Sequence, residues 1–187
     1  VRRLVVCHKE LKLGDKGVAV KLLKQSLNDV NRVYLGRPKN LSSTDVFDLE
    51  TKAMLIAFQR FYSGMAALAG LDIKLDPTGT LNAKTSTALA TWSKLARKRM
   101  DEETMRPGDK GLDVLWLQHA LNLWSRAYGD KGQIKETSKF DDATAAMVRS
   151  FKRWNNNFLH YTTGKANGVG SMVDTPDVGP RAKDAIA

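Results

Sequence analysis

The chain has 187 residues, 42% of them apolar, with 30 Lys and Arg against 20 Asp and Glu and a formal net charge of +10. That length allows one or two domains. No stretch approaches the ~20 apolar residues of a membrane span, one cysteine forbids an internal disulfide, and the positive charge points to an anionic partner.

The N-terminal segment, residues 1–12, carries Arg2-Arg3 and then only Leu4-Val5-Val6, too short an apolar run for a secretory signal. With no initiator Met, the expectation is a processed or partial piece of a longer protein. Cys7 beside His8 lacks the four-ligand spacing of a zinc site, so no metal or cofactor is expected.

Helix 1 is predicted over residues 18–28, after the turn Gly14-Asp15-Lys16-Gly17, with Val20, Leu23 and Leu27 at the helical period. Gly36, Pro38 and residues 40–44 read as a loop. Helix 2 starts at Asp48, an N-cap, with Phe47 just ahead of it as an apolar staple. Its stripe is Met54, Leu55, Phe58, Phe61 and Tyr62, and it is expected to end near Gly64 or as late as Leu71. Asp76-Pro77-Thr78-Gly79 is a turn. Helix 3 begins near Asn82, with Ala88, Leu89, Trp92 and Leu95 inward, and closes on Arg97-Lys98-Arg99, where cations offset the helix dipole.

Met100 to Pro107 reads as a solvated linker. Val114, Leu117 and Leu121 make the stripe of helix 4, with Trp116 and Trp124 as further bulk and His119 on the outer side. Asp141 caps helix 5, Phe140 precedes it, and Met147, Phe151 and Trp154 face inward. A long loop is expected from Asn155-Asn156-Asn157 through Gly170. Helix 6 starts at Val178-Gly179-Pro180, with Pro at the first helical position. It is cut off at Ala187 after about two turns, which suggests that more chain follows.

These elements repeat. Gly14-Asp15-Lys16-Gly17 returns as Gly108-Asp109-Lys110-Gly111, 94 positions later, and Leu27-Asn28 as Leu121-Asn122. Phe47, Thr51 and Phe58 return as Phe140, Thr144 and Phe151 at a spacing of 93, and Leu81 faces Val178 at 97. So long a period means two small bodies rather than a solenoid. The expected fold is all-α: two tandem three-helix domains, residues 13–99 and 107–187, joined by a linker at 100–106.

No convergent catalytic set is visible. Asp72 and Asp76 are turn residues beside Lys74, Asp141-Asp142 is explained by capping, and the serines lack a nucleophile-elbow context. The chain reads as a binder, not an enzyme.

The order of motifs resembles the peptidoglycan-binding-like domain, a three-helix cell-wall module of bacterial and phage wall hydrolases. Its opening Leu-x-x-Gly-x-x-Gly-x-x-Val-x-x-Leu-Gln-x-x-Leu-Asn is met by Leu11, Gly14, Gly17, Val20, Leu23, Leu27 and Asn28. Gly108, Gly111, Val114, Leu117, Gln118, Leu121 and Asn122 meet it again. Phe47, Thr51, Phe58 and Gln59 fit its second segment. Val178-Gly179-Pro180 fits its third. Asp48 and Asp141 depart from its glycine after Phe, Lys152 from its Gln, and Ala182 from its Thr, and the loops are longer than its usual turns.

The resemblance implies non-catalytic binding of peptidoglycan or another anionic wall polymer, outside the cell, on the wall or in a phage virion. Candidate contacts are Gln59, Tyr62, Thr78 and Thr85 in the first unit and Lys152, Trp154, His160 and Tyr161 in the second. Gln59 and Lys152 occupy one equivalent position. The alternative is a virion structural protein that uses the same fold against other virion proteins. Nucleic acid is disfavoured, since no recognised binding motif is present.

Overall fold

The structure, a computed structural model, describes residues 10–100, 104–128, 132–163 and 177–178. Helix α1 (Val18–Val30) begins where Gly14 and Gly17 turn the backbone at φ 93° and 119°, angles that glycine adopts without a Cβ penalty. A π-helical turn, Asn31–Leu35, carries it on to Gly36, so the helical path runs well past residue 28. Helix α2 (Leu49–Leu68) is capped by Asp48, which accepts from Thr51 N at 2.7 Å. It continues through Gly64.

Helix α3 (Ala83–Met100) follows Asn82, whose Oδ1 accepts from Thr85 N at 2.9 Å. Helix α4 (Leu112–Tyr128) follows Gly108 and Gly111, both again at positive φ. Helix α5 (Asp142–Thr163) is capped by Asp141 on Thr144 N at 2.9 Å. The loop expected from Asn155 is not there: α5 runs straight through the asparagines. Phe151, Trp154, Phe158 and Tyr161 keep the helical period across them, and each asparagine costs a helix only about 0.7 kcal/mol. Val178, expected to open helix 6, is bridged to Met105 instead; the rest of that helix lies outside the described residues, as does the acidic part of the linker.

The fold is all-α, with isolated bridges but no strand among the described residues. The chain divides into two compact units, Val1–Met100 and Asp101–Ala187.

In the first unit α2 and α3 are each entered by an extended leg that runs back along the helix before it. The leg into α1 is the hub. Leu11 exchanges both backbone hydrogen bonds with Leu81, on the leg into α3, at 3.1 and 2.8 Å. Gly14 N donates to Phe47 O at 2.9 Å, and Phe47 N to Asp15 O at 2.8 Å, which ties in the leg to α2. All three helices therefore start at one pole and run the same way. Arg97, paired with Asp29 at 3.0 Å, ties the far ends of α3 and α1. Leu23, Leu27, Phe47, Leu55, Phe58, Leu81, Leu89 and Trp92 fill the core.

The second unit repeats these hydrogen bonds on its own residues. Met105 exchanges both with Val178 at 3.1 and 2.8 Å, Gly108 N donates to Phe140 O at 2.9 Å, and Phe140 N to Asp109 O at 2.8 Å. Val114, Leu117, Leu121, Phe140, Met147, Val148 and Phe151 are its core, and Trp116 is buried with them.

Candidate functional site

A pair of inward polar residues on the preceding helix holds each of the legs into α2, α3 and α5. In α4 the pair is Gln118 and Asn122, one turn apart and so on one face. Gln118 Oε1 accepts from Thr137 N at 2.9 Å and Ser138 N at 3.0 Å, while Nε2 donates to Lys139 O and Thr144 Oγ1, both at 2.9 Å. Asn122 donates to Ile134 O and accepts from Ile134 N, both at 2.9 Å. An amide suits this work because it offers donors and acceptors to a backbone that needs both.

The same arrangement recurs along α1 and α2. Asn28 holds Leu41 in both directions, at 2.9 and 2.7 Å. Ser63 holds Leu75, at 3.2 and 2.9 Å. One turn before Ser63, Gln59 donates to Thr80 O at 3.1 Å and Thr85 Oγ1 at 3.3 Å, and accepts from Gly79 N at 3.0 Å. Lys152, on α5, reaches Asp177 O, the counterpart of Thr80 O.

One turn before Asn28 stands Lys24. The first unit thus has Lys on its first helix and Gln on its second, while the second unit has Gln118 and then Lys152. Lys24 is 1% exposed, donates to Thr44 Oγ1 at 2.8 Å, and pairs with Asp48 at 2.7 Å. Burial works to raise the Asp48 pKa, but hydrogen bonds from Lys24 and Thr51 outweigh it and hold the carboxyl at about 2. Asp141 is lowered as well, by the Thr144 hydroxyl and backbone.

The expected contact residues therefore separate. Gln59 and Thr85 meet each other, both buried, and Gln59 holds the leg into α3 at Gly79 and Thr80. Thr78 is exposed on that leg, its hydroxyl accepting from Thr80 N at 3.2 Å. Tyr62 is half-buried on α2, its ring 6.3 Å from Phe58. Lys152 is buried, and Trp154, two residues further along α5, is half-buried. His160 and Tyr161 fall on α5, but their side chains lie outside the described residues.

Tyr128, which periodicity did not single out, stacks on Trp154 at 5.1 Å and is 68% exposed. Its counterpart Tyr34 stacks on Phe61 at 6.0 Å, and there Trp92 of α3 closes over both rings at 4.9 and 4.8 Å. The part of the second unit that corresponds to α3 lies outside the described residues, so Tyr128 is assigned no ligand role.

His119, expected on the surface, is half-buried. Its Nδ1 lies 3.1 Å from Glu136 Oε1, which also accepts from Asn122 at 2.9 Å. This pair adds another tie to the leg 132–139. Among the described residues, no cluster of three or more His, Cys, Asp or Glu is placed to hold a metal, and no helix is long and apolar enough to cross a membrane.

No family model, curated protein or solved structure matches the chain.

Proposed function

We propose that the chain is a non-catalytic binder of bacterial cell-wall peptidoglycan, built as two domains of one repeated plan. One observation carries the reading. The residues that resemble the wall-binding module, Gly14, Gly17, Asn28 and Gln59 in one unit and Gly108, Gly111, Gln118 and Asn122 in the other, do one job in both. They turn the backbone into a helix or clamp the leg that follows it. Such clamps fix Thr78 on its leg and fasten the legs to the helices that carry Tyr62 and Trp154, and a rigid framework of this kind is what a repetitive polymer ligand requires. Thr78, Tyr62 and Trp154 are the proposed contacts, with His160 and Tyr161 further along α5. Gln59, Thr85 and Lys152 are positioning residues. Two modest sites on one chain gain avidity on a polymer when both engage.

The test is co-sedimentation of the chain with purified peptidoglycan, with soluble muropeptides as competitors. Pelleting that the muropeptides reverse is expected. A chain that stays in the supernatant, or that releases muropeptides itself, overturns the reading.

The second reading, subunit assembly in a phage particle, has its own observation. Leu13, Val18 and Leu49 are 46%, 74% and 70% exposed at the pole where α1 and α2 start, and Gly14 N bonded to Phe47 O brings those starts together. Exposed apolar clusters mark protein interfaces. Self-association abolished by Val18→Lys, with no binding to the wall, supports this reading over the first.

A further inference from the structure

The doubled plan separates what the fold needs from what has been added to it, and the main addition in the first unit is charge. Across α1, its π-helical turn and α3 there are eight cations, Lys21, Lys24, Arg32, Lys84, Lys94, Arg97, Lys98 and Arg99, and one acid, Asp29. The acid is buried and already bound by Arg97 at 3.0 Å. Lys24 and Arg99 are buried too. Lys21, Arg32, Lys84, Lys94 and Lys98 are exposed. Helix α4, the counterpart of α1, has one acid and one cation, Asp113 and Arg126, and Leu115 stands in the place of Lys21. At position 21, therefore, the framework does not require the charge.

The charge is also ordered. Lys84, Thr87, Thr91, Lys94 and Lys98 are the exposed residues of one line down α3. At 1.5 Å per residue this line spans about 21 Å. Helix α1 packs beside α3, with Ser26, Ser86 and Ser93 buried. The Thr87 and Thr91 hydroxyls are turned onto the helix's own carbonyls at 3.1 and 3.2 Å. Between the ammonium groups, then, the line directs no hydroxyl donor outward. Such a surface reads charge rather than shape. Tyr34 and Trp92, the aromatic rings of this side, are buried, so no stacking platform of the kind that single-stranded nucleic acid uses is offered.

We infer that the α1–α3 face of the first unit binds a linear phosphodiester polymer of the cell wall, of the polyol-phosphate type, along the lysine line. Spaced ammonium point charges suit successive phosphates. The inference rests on the wall-binding reading and assigns that reading a second ligand on a different face.

The experiment uses the whole chain, wall sacculi with their phosphate polymer intact, the same sacculi stripped of it by acid, and duplex DNA. The variant is Lys84→Gln/Lys94→Gln/Lys98→Gln, with the three-fold Lys→Arg variant as a charge-keeping control and circular dichroism to verify the helices. Intact wall is expected to bind at least tenfold tighter than stripped wall. The Gln variant brings the two together, and the Arg variant does not. Raising salt from 50 to 200 mM weakens intact-wall binding about 20-fold, from a slope of roughly −0.7 per neutralised phosphate over three contacts.

Equal binding of the wild-type chain to both walls overturns this inference and leaves the peptidoglycan reading standing. So does a Gln variant that keeps full preference for intact wall. Tighter binding to duplex DNA than to intact wall reassigns the face to nucleic acid. Failure to bind either wall ends both readings.

Discussion

Breaking the Lys24–Asp48 pair from its two sides should have unequal consequences, because the partners differ in burial. Lys24 is 1% exposed and Asp48 36%. Asp48→Asn keeps a side chain able to cap α2 but leaves an ammonium buried without its counter-ion. The expected cost is about 3 kcal/mol, the lower end for a stranded buried charge, since Thr44 Oγ1 remains a partner. Lys24→Met keeps the volume of the stem and strands only Asp48, which water and Thr51 still satisfy. About 1 kcal/mol is expected.

Acid acts on the same side of the pair as Asp48→Asn, because protonation neutralises the carboxyl and leaves the Lys24 ammonium buried without its counter-ion. The folded pKa of Asp48, about 2, lies below the ordinary aspartate value of 3.8. The unfolded chain therefore takes up the proton first, and the contribution is full above about pH 4 and lost as pH falls towards 2. A shift of that size in a buried group equals about 2.4 kcal/mol. Screening at a site this exposed reduces it to about 1. Hydrogen exchange read on peptides from α1 and α2 isolates the first unit. A Lys24→Met variant as unstable as Asp48→Asn, or a pair whose contribution survives at pH 2, refutes the reasoning.

The remaining predictions concern the legs. Gly79 sits at φ 71°, and a Cβ there would lie 2.6 Å from Lys52 Cγ and 3.1 Å from Ile56 Cγ1, so Gly79→Ala should destabilise by about 1–2 kcal/mol. Gly64, inside α2, has nothing within 4 Å of an added Cβ. Gly64→Ala should stabilise by about 0.5–1 kcal/mol, and thermal unfolding compares the two. Gln118→Ala removes partners from Thr137 N, Ser138 N and Lys139 O together and should cost about 2–3 kcal/mol. Its mark is faster amide exchange at residues 137–139, with the first unit unchanged. Uniform destabilisation of both units, or none, counts against the clamp.

Much of the fold was legible in the chain because its signals are local. Paired glycines, Asp and Asn caps and apolar residues at helical spacing act within a few positions, and each appears where its chemistry demands. Periodicity failed in two places: it stops helix 1 at residue 28, short of the turn that reaches Leu35, and it takes a weak breaker for a strong one at Asn155-Asn156-Asn157, whose cost the apolar period on either side outweighs. The polar positions were harder to read. Gln59 and Lys152 stood out as an equivalent pair, and in sequence an inward amide looks the same as one aimed at a ligand. Only the returning leg, 20 to 25 residues away in the chain, supplies the carbonyls and amides that consume them. Lys24 could not be picked out either, since a lysine at helical spacing reads as solvated until Asp48 and Thr44 close over it. By itself the sequence determined where α1 to α5 start and that the pattern recurs, through interactions within a turn of each residue. Which polar groups remain for a partner was decided by tertiary structure, because burial depends on what the chain brings back from a distance.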